Sequence, residues 1–99
     1  MTKLSQKKQM HEDAVLVSGS ITHSIMNNMV EAMVRANVPD KNILDAIAIT
    51  TKRVQLLERM APNNLAKDMT TESVDWLGYY GQTWLNECRF EIEQEKDAA

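Results

Sequence analysis

Apolar residues recur along this chain at helical spacing, in three segments divided by two prolines. In the first segment, at about 100° per residue, Ala14, Ser18, Ile21, Ile25, Met29, Ala32 and Ala36 fall on one stripe. Val15, Thr22, Met26 and Met33 widen it, and Ser20, His23, Ser24, Asn27, Asn28, Glu31 and Arg35 take the opposite arc. This predicts an amphipathic helix over 11–36. Its weak point is Ser18-Gly19-Ser20, because glycine costs roughly 1 kcal/mol relative to alanine inside a helix. A continuous helix is favoured over a start at Ser20 with AVLV as an extended arm.

Pro39 in NVPDKN and Pro62 in APNN bound the second segment. Asn37 is placed to end the first helix and Asp40 to cap the next. Ile43, Ile47, Thr50, Val54, Leu57 and Ala61 then form the cleanest stripe in the chain, predicting a helix over 41–60. Ile49, Leu56 and Met60 lie on a second apolar line about 120° round the same helix. Residues 62–71 read as a loop, with a short helical turn at 63–69 anchored by Leu65 and Met69. Thr70 or Thr71 is the expected cap of a third helix over 72–93, with Glu72 and Asp75 near its positive end.

The third segment contains GYYGQTW, residues 78–84, which holds two of the three glycines. Val74, Leu77, Gly78, Gly81, Trp84, Leu85, Cys88 and Ile92 share one helical face, so both glycines fall on the apolar stripe. A notch there lets another helix approach closely. Gly19 with its flanking serines is the candidate for the crossing surface, and Trp84 is placed to cover the crossing. Trp76, Tyr79, Thr83 and Phe90 make a second line spaced as a heptad seam, nearly opposite the glycines. A helix apolar on two sides is central in its domain or touches another chain. The expectation is therefore one all-α domain over 1–99, a mainly antiparallel bundle of three main helices with frayed ends at 1–10 and 94–99. It should assemble as a homodimer through Trp76, Tyr79, Thr83 and Phe90 with Ile49, Leu56 and Met60.

Composition changes this picture in two ways. Seven methionines stand against one phenylalanine, which suits adaptable contact surfaces. The net charge of −3 is unevenly spread. Residues 35–60 carry five Lys or Arg against three acids, whereas residues 61–99 carry three bases and eight acids. An acidic C-terminal third argues against a nucleic-acid or anionic-membrane footprint for the whole chain. The first fourteen residues lack the apolar run of a signal peptide, and no apolar run approaches a membrane span. Cys88 stands alone, so no internal disulfide forms. The expected setting is a reducing cytoplasm, for a small bacterial or phage accessory protein.

Candidate chemistry is sparse. Neither His11 nor His23 has a second histidine one turn away, and zinc spacing is absent. Glu87 with Glu91, and Glu72 with Asp75, have ligand spacing but read as solvated faces without the Glu-x-x-His pattern of carboxylate bundles. Cys88 lies late in a helix on the apolar stripe, where nothing lowers a thiol pKa. No phosphate loop or nucleophile elbow occurs. No catalytic, metal or cofactor site is assigned, and an enzyme is not expected. The expected role is a protein-interaction module: an adaptor, inhibitor or regulator docking on a larger protein. Asp75, Glu87 and Glu91 form its candidate polar docking surface. The alternative is a small DNA-binding regulator. Residues 43–60 faintly resemble a helix-turn-helix, with ITT as the turn and Lys52, Arg53, Gln55 and Arg59 facing phosphates or bases. Against it, the turn lacks glycine and the apolar stripe runs through it in unbroken phase.

Overall fold

The computed structural model describes residues 3–98, apart from the side chain of Gln82. Among the described residues every regular element is helical: α1 (Lys3–Arg35), α2 (Asp40–Arg59), α3 (Asn64–Tyr79) and α4 (Leu85–Ala98), with a π-helical turn (Tyr80–Trp84) joining α3 to α4. The helices include residues 3–10 and 94–98, where frayed ends were expected. α1 passes through Ser18-Gly19-Ser20 without a break. The principal extents of 56 × 30 × 16 Å reflect α1, since 33 residues at about 1.5 Å each span about 50 Å.

Local chemistry sets the helix ends. Asn37 adopts a left-handed conformation (φ 60°), and its N–H donates to the Val34 carbonyl at 3.0 Å. The Val38 N–H donates to the Met33 carbonyl at 3.0 Å, completing a Schellman stop. Met33 and Val38 both pack against the core, which adds the apolar contact usual in that motif. Pro39, not Asp40, occupies the N-cap of α2. Asp40 is the first helical residue, and its carboxylate is paired with Arg89 of α4. Within the expected loop over 62–71, the short helical turn expected at 63–69 is the start of α3, and helix continues from Asn64 through Thr71. The Asn63 side chain accepts a hydrogen bond from the Ala66 N–H at 2.8 Å and so caps α3. Thr70 and Thr71 are inside that helix, where their hydroxyls donate back to the carbonyls of Ala66 and Lys67.

Pairings between helices give the topology. His11 meets Asp68, Thr22 meets Ser73, and Arg35 meets Glu95, so α1 runs parallel to α3 and α4. Asp40 meets Arg89, Ile47 lies against Gly81, and Glu58 meets Thr71, so α2 runs antiparallel to them. α3 packs against both α1 and α2, which touch each other only slightly.

The core contains Met26, Val30 and Val34 of α1, Ile43 and Ile47 of α2, Leu77 of α3, Tyr80, and Leu85, Cys88 and Ile92 of α4. On α2 this matches the predicted stripe, except that Thr50 and Leu57 are exposed in the gap between α1 and α2. On α1 the inward face is turned away from the expected one. Ile21, Ile25 and Met29 are each more than half exposed, while Val30 and Val34 are buried.

The π turn explains why α4 continues the core. In an unbroken α-helix, Leu85, Cys88 and Ile92 would be centred roughly 80° away from Leu77, Tyr80 and Trp84. A π turn accommodates about one extra residue, so Tyr80 and Leu85, five apart, become successive inward positions. Tyr80 is fully buried at 0% exposure, although the sequence pattern placed it on neither apolar line.

Candidate functional site

Two surfaces stand out, on opposite sides of the α1–α3 contact. That contact is made close by small residues. The Ser18 hydroxyl donates to the Met69 carbonyl at 3.0 Å, and the Thr22 hydroxyl donates to Ser73 at 2.9 Å. Gly19 is buried between them. A Cβ added there would lie 2.8 Å from Glu72 Cγ and 2.8 Å from Trp76 Nε1. The close approach that the sequence placed at Gly78 and Gly81 is therefore at Gly19, against Glu72 and Trp76. Gly78 is exposed with nothing within 4 Å of an added Cβ, and Gly81 is in ordinary contact with Ile47 Cγ2 at 3.5 Å.

On one side of this crossing, His23, Glu72, Asp75, Trp76 and Tyr79 line an open pocket of ≈ 470 Å³. Trp76 is half-buried. Its ring centroid is 4.5 Å from that of His23, 5.8 Å from Tyr79 and 6.4 Å from Tyr80. Tyr80 anchors the group from below. Its hydroxyl donates to the His23 carbonyl at 2.9 Å and is also hydrogen-bonded to His23 Nδ1. Burial, with the nearby Tyr79, pushes the Tyr80 hydroxyl pKa above its ordinary range. Glu72 and Asp75, one turn apart on α3, have no hydrogen bond or ion pair among the described residues.

On the other side, α1 and α2 diverge over α3 and leave an apolar trough of ≈ 300 Å³. Ile25, Met26 and Thr22 form one wall, Thr50, Val54 and Leu57 the other, and Thr70, Ser73 and Leu77 the floor. The exposed Ile21 and Met29 continue the α1 rim. Residues 14–30 contain no Asp, Glu, Lys or Arg, a stretch of about 25 Å of surface helix. Sequence reasoning took Ile21, Ile25 and Met29 for core. The missing charges on both sides of the helix were the signal that a second face is apolar.

The other predicted residues are dispersed. Trp76 belongs to the intramolecular aromatic group, and Trp84 packs on the core with its ring 5.3 Å from Tyr80. Tyr79 and Thr83 are exposed, and Phe90 is 61% exposed on the side of α4 away from the core. Ile49, Leu56 and Met60 are exposed on α2. Asp75 joins the aromatic pocket, whereas Glu87 and Glu91 are exposed on α4 and not part of it. Lys52, Arg53 and Arg59 are exposed and Gln55 is half-buried. The ITT segment is helical, with the Thr50 and Thr51 hydroxyls donating to the Ala46 and Ile47 carbonyls, so α2 lacks the turn of a helix-turn-helix.

Cys88 is buried, and burial first, then the charges of Glu31 and Glu91, push its thiol pKa up. No group of three His, Cys, Asp or Glu among the described residues is arranged to hold a metal ion. No described helix is long and apolar enough to cross a membrane. No protein-family model, curated protein or solved structure matches this chain.

Proposed function

We propose that this chain is a non-enzymatic protein-interaction module that works as a homodimer and docks on a larger protein as an adaptor, inhibitor or regulator. The observation that carries this reading is the uncharged outer face of α1 beside the apolar trough. Ile25 and Leu57 line the trough, Ile21 and Met29 lie one turn either side of Ile25 on α1, and all four are more than half exposed. Apolar surface of this kind rarely stays open to water on a monomer. Stable protein interfaces remove about 800 Å² per partner, the scale of a helix laid along such a groove. In this reading α1 of a second copy lies against the trough. The exposed Ile49, Leu56, Met60 and Phe90 remain for other contacts. A lone buried thiol fits a reducing cytoplasm, which is part of the same proposal.

The test is affinity purification of the tagged chain from its source cell. The expected result is a larger protein recovered in fixed ratio with the wild type. Recovery of the chain without any stoichiometric partner would argue against docking.

A further inference from the structure

We propose that the pocket formed by His23, Glu72, Asp75, Trp76 and Tyr79 receives an arginine side chain presented by the docked protein. This inference rests on the docking reading and specifies the chemistry it recognises.

Three observations converge. The first is a fixed aromatic wall. Trp76 is held by His23 at 4.5 Å and by Tyr79 edge-on at 5.8 Å, and Tyr80 hydrogen-bonds His23 beneath it. The second is charge. Glu72 and Asp75 both line the pocket, and neither is neutralised by a described residue. Elsewhere the carboxylates that lie between elements are paired: Asp68 with His11, Asp40 with Arg89, and Glu95 with Arg35. The third is shape. The pocket is open on one side and large enough for one long side chain, as suits a group projecting from another surface. An aromatic face draws a cation within about 6 Å of the ring centroid. A guanidinium satisfies both halves of the site, because its flat face stacks on an indole while its fork of N–H groups reaches a carboxylate. An ammonium has no flat face to stack and no fork. Asp75 and Glu72 therefore act with Trp76 as one recognition unit, separate from Glu87 and Glu91.

The test uses N-acetyl-arginine methylamide as probe, followed through the indole N–H resonances of the full chain, with Trp84 as internal reference. The neutral isostere N-acetyl-citrulline methylamide and N-acetyl-lysine methylamide serve as comparisons. The expected result is a saturable shift of Trp76 with arginine, a weaker one with lysine and none with citrulline. Glu72→Gln/Asp75→Asn should weaken arginine binding by about tenfold, while Glu87→Gln/Glu91→Gln leaves it unchanged. Absence of a saturable arginine shift, an equal response to citrulline, or an unaltered affinity in the first double variant would each overturn the site. Equal binding of lysine would overturn the choice of guanidinium. The titration needs neither the partner nor the dimer. Its failure leaves the docking reading standing, and a failed affinity purification leaves the titration interpretable.

Discussion

Adding one methyl group to each of two glycines should stabilise the chain at one and not at the other. Gly19→Ala and Gly78→Ala both replace glycine inside a helix, a change that by itself contributes about 1 kcal/mol of stability. At Gly78 nothing lies within 4 Å of the new Cβ, so that gain should appear undiminished. At Gly19 the Cβ would be 2.8 Å from Trp76 Nε1, 2.8 Å from Glu72 Cγ and 2.9 Å from Glu72 Oε1. The Glu72 carboxylate can swing aside. The indole cannot easily do so, because the tilted His23 ring lies 4.5 Å from it and Tyr79 meets it edge-on at 5.8 Å. Overpacking at such a site costs about 1–3 kcal/mol, leaving Gly19→Ala between neutral and about 2 kcal/mol destabilised. The propensity gain is common to both variants, so their difference isolates the clash, about 1–3 kcal/mol. For a chain of this size that separates the melting temperatures by about 4–24 °C. Thermal and urea unfolding by circular dichroism should be compared at one protein concentration, since dimerisation makes the midpoint concentration-dependent. A Gly19→Ala variant as stable as Gly78→Ala would refute the close contact between α1 and Trp76.

Further outcomes follow from the π turn and the buried hydroxyl and thiol. Deleting the exposed Thr83 should be tolerated, because Tyr80 and Leu85 then fall four apart and remain inward in a regular α-helix. Deleting the exposed Glu87 should unfold the C-terminal half, because Cys88 and Ile92 rotate by about 100° out of the core; equal melting curves for the two deletions would contradict the π-turn account. The Tyr80 hydroxyl titrates above the ordinary value of about 10, so the folded state holds a proton that the unfolded chain releases. Stability is therefore full below about pH 10 and is lost as pH rises through the higher folded value. Tyr80→Phe should flatten that alkaline decline while costing about 1–3 kcal/mol at neutral pH, through unpaired polar groups on His23; parallel alkaline declines would refute it. Cys88 should react with a thiol reagent only as the chain unfolds, with a rate that tracks the urea transition; rapid labelling of the native protein would show that the thiol is not enclosed.

α2 was legible because its charges confine the apolar residues to readable lines. Ile43, Ile47 and Val54 are inward as their spacing requires, and the prolines mark its ends correctly. α1 was legible as a helix but not in phase. With no charge from 14 to 30, Ile21, Ile25 and Met29 make as good an apolar stripe as Met26, Val30 and Val34. Only packing against α3 decides between them. The missing side chain at Gly19, which lets α3 approach closely, and the hydrogen bonds of Ser18 and Thr22 favour the second. The start of α3 was missed because Thr70-Thr71 resembles a cap, while Asn63 performs that role a full two turns earlier. Tyr80 was missed because a fixed angle per residue cannot represent a π turn. The aromatic pocket was visible only in pieces. Asp75, Trp76 and Tyr79 were singled out for separate reasons, while His23, assigned to a polar face, is what joins them across the helices.

The central claim is that the outer face of α1 and its trough are covered by a second copy of the chain. Sedimentation equilibrium of the wild type beside Ile25→Glu, at matched concentration and with helicity verified, tests it most directly. The expected masses are twice 11.3 kDa for the wild type and 11.3 kDa for the variant. A wild type that sediments at 11.3 kDa, or a variant that keeps the doubled mass, would contradict it.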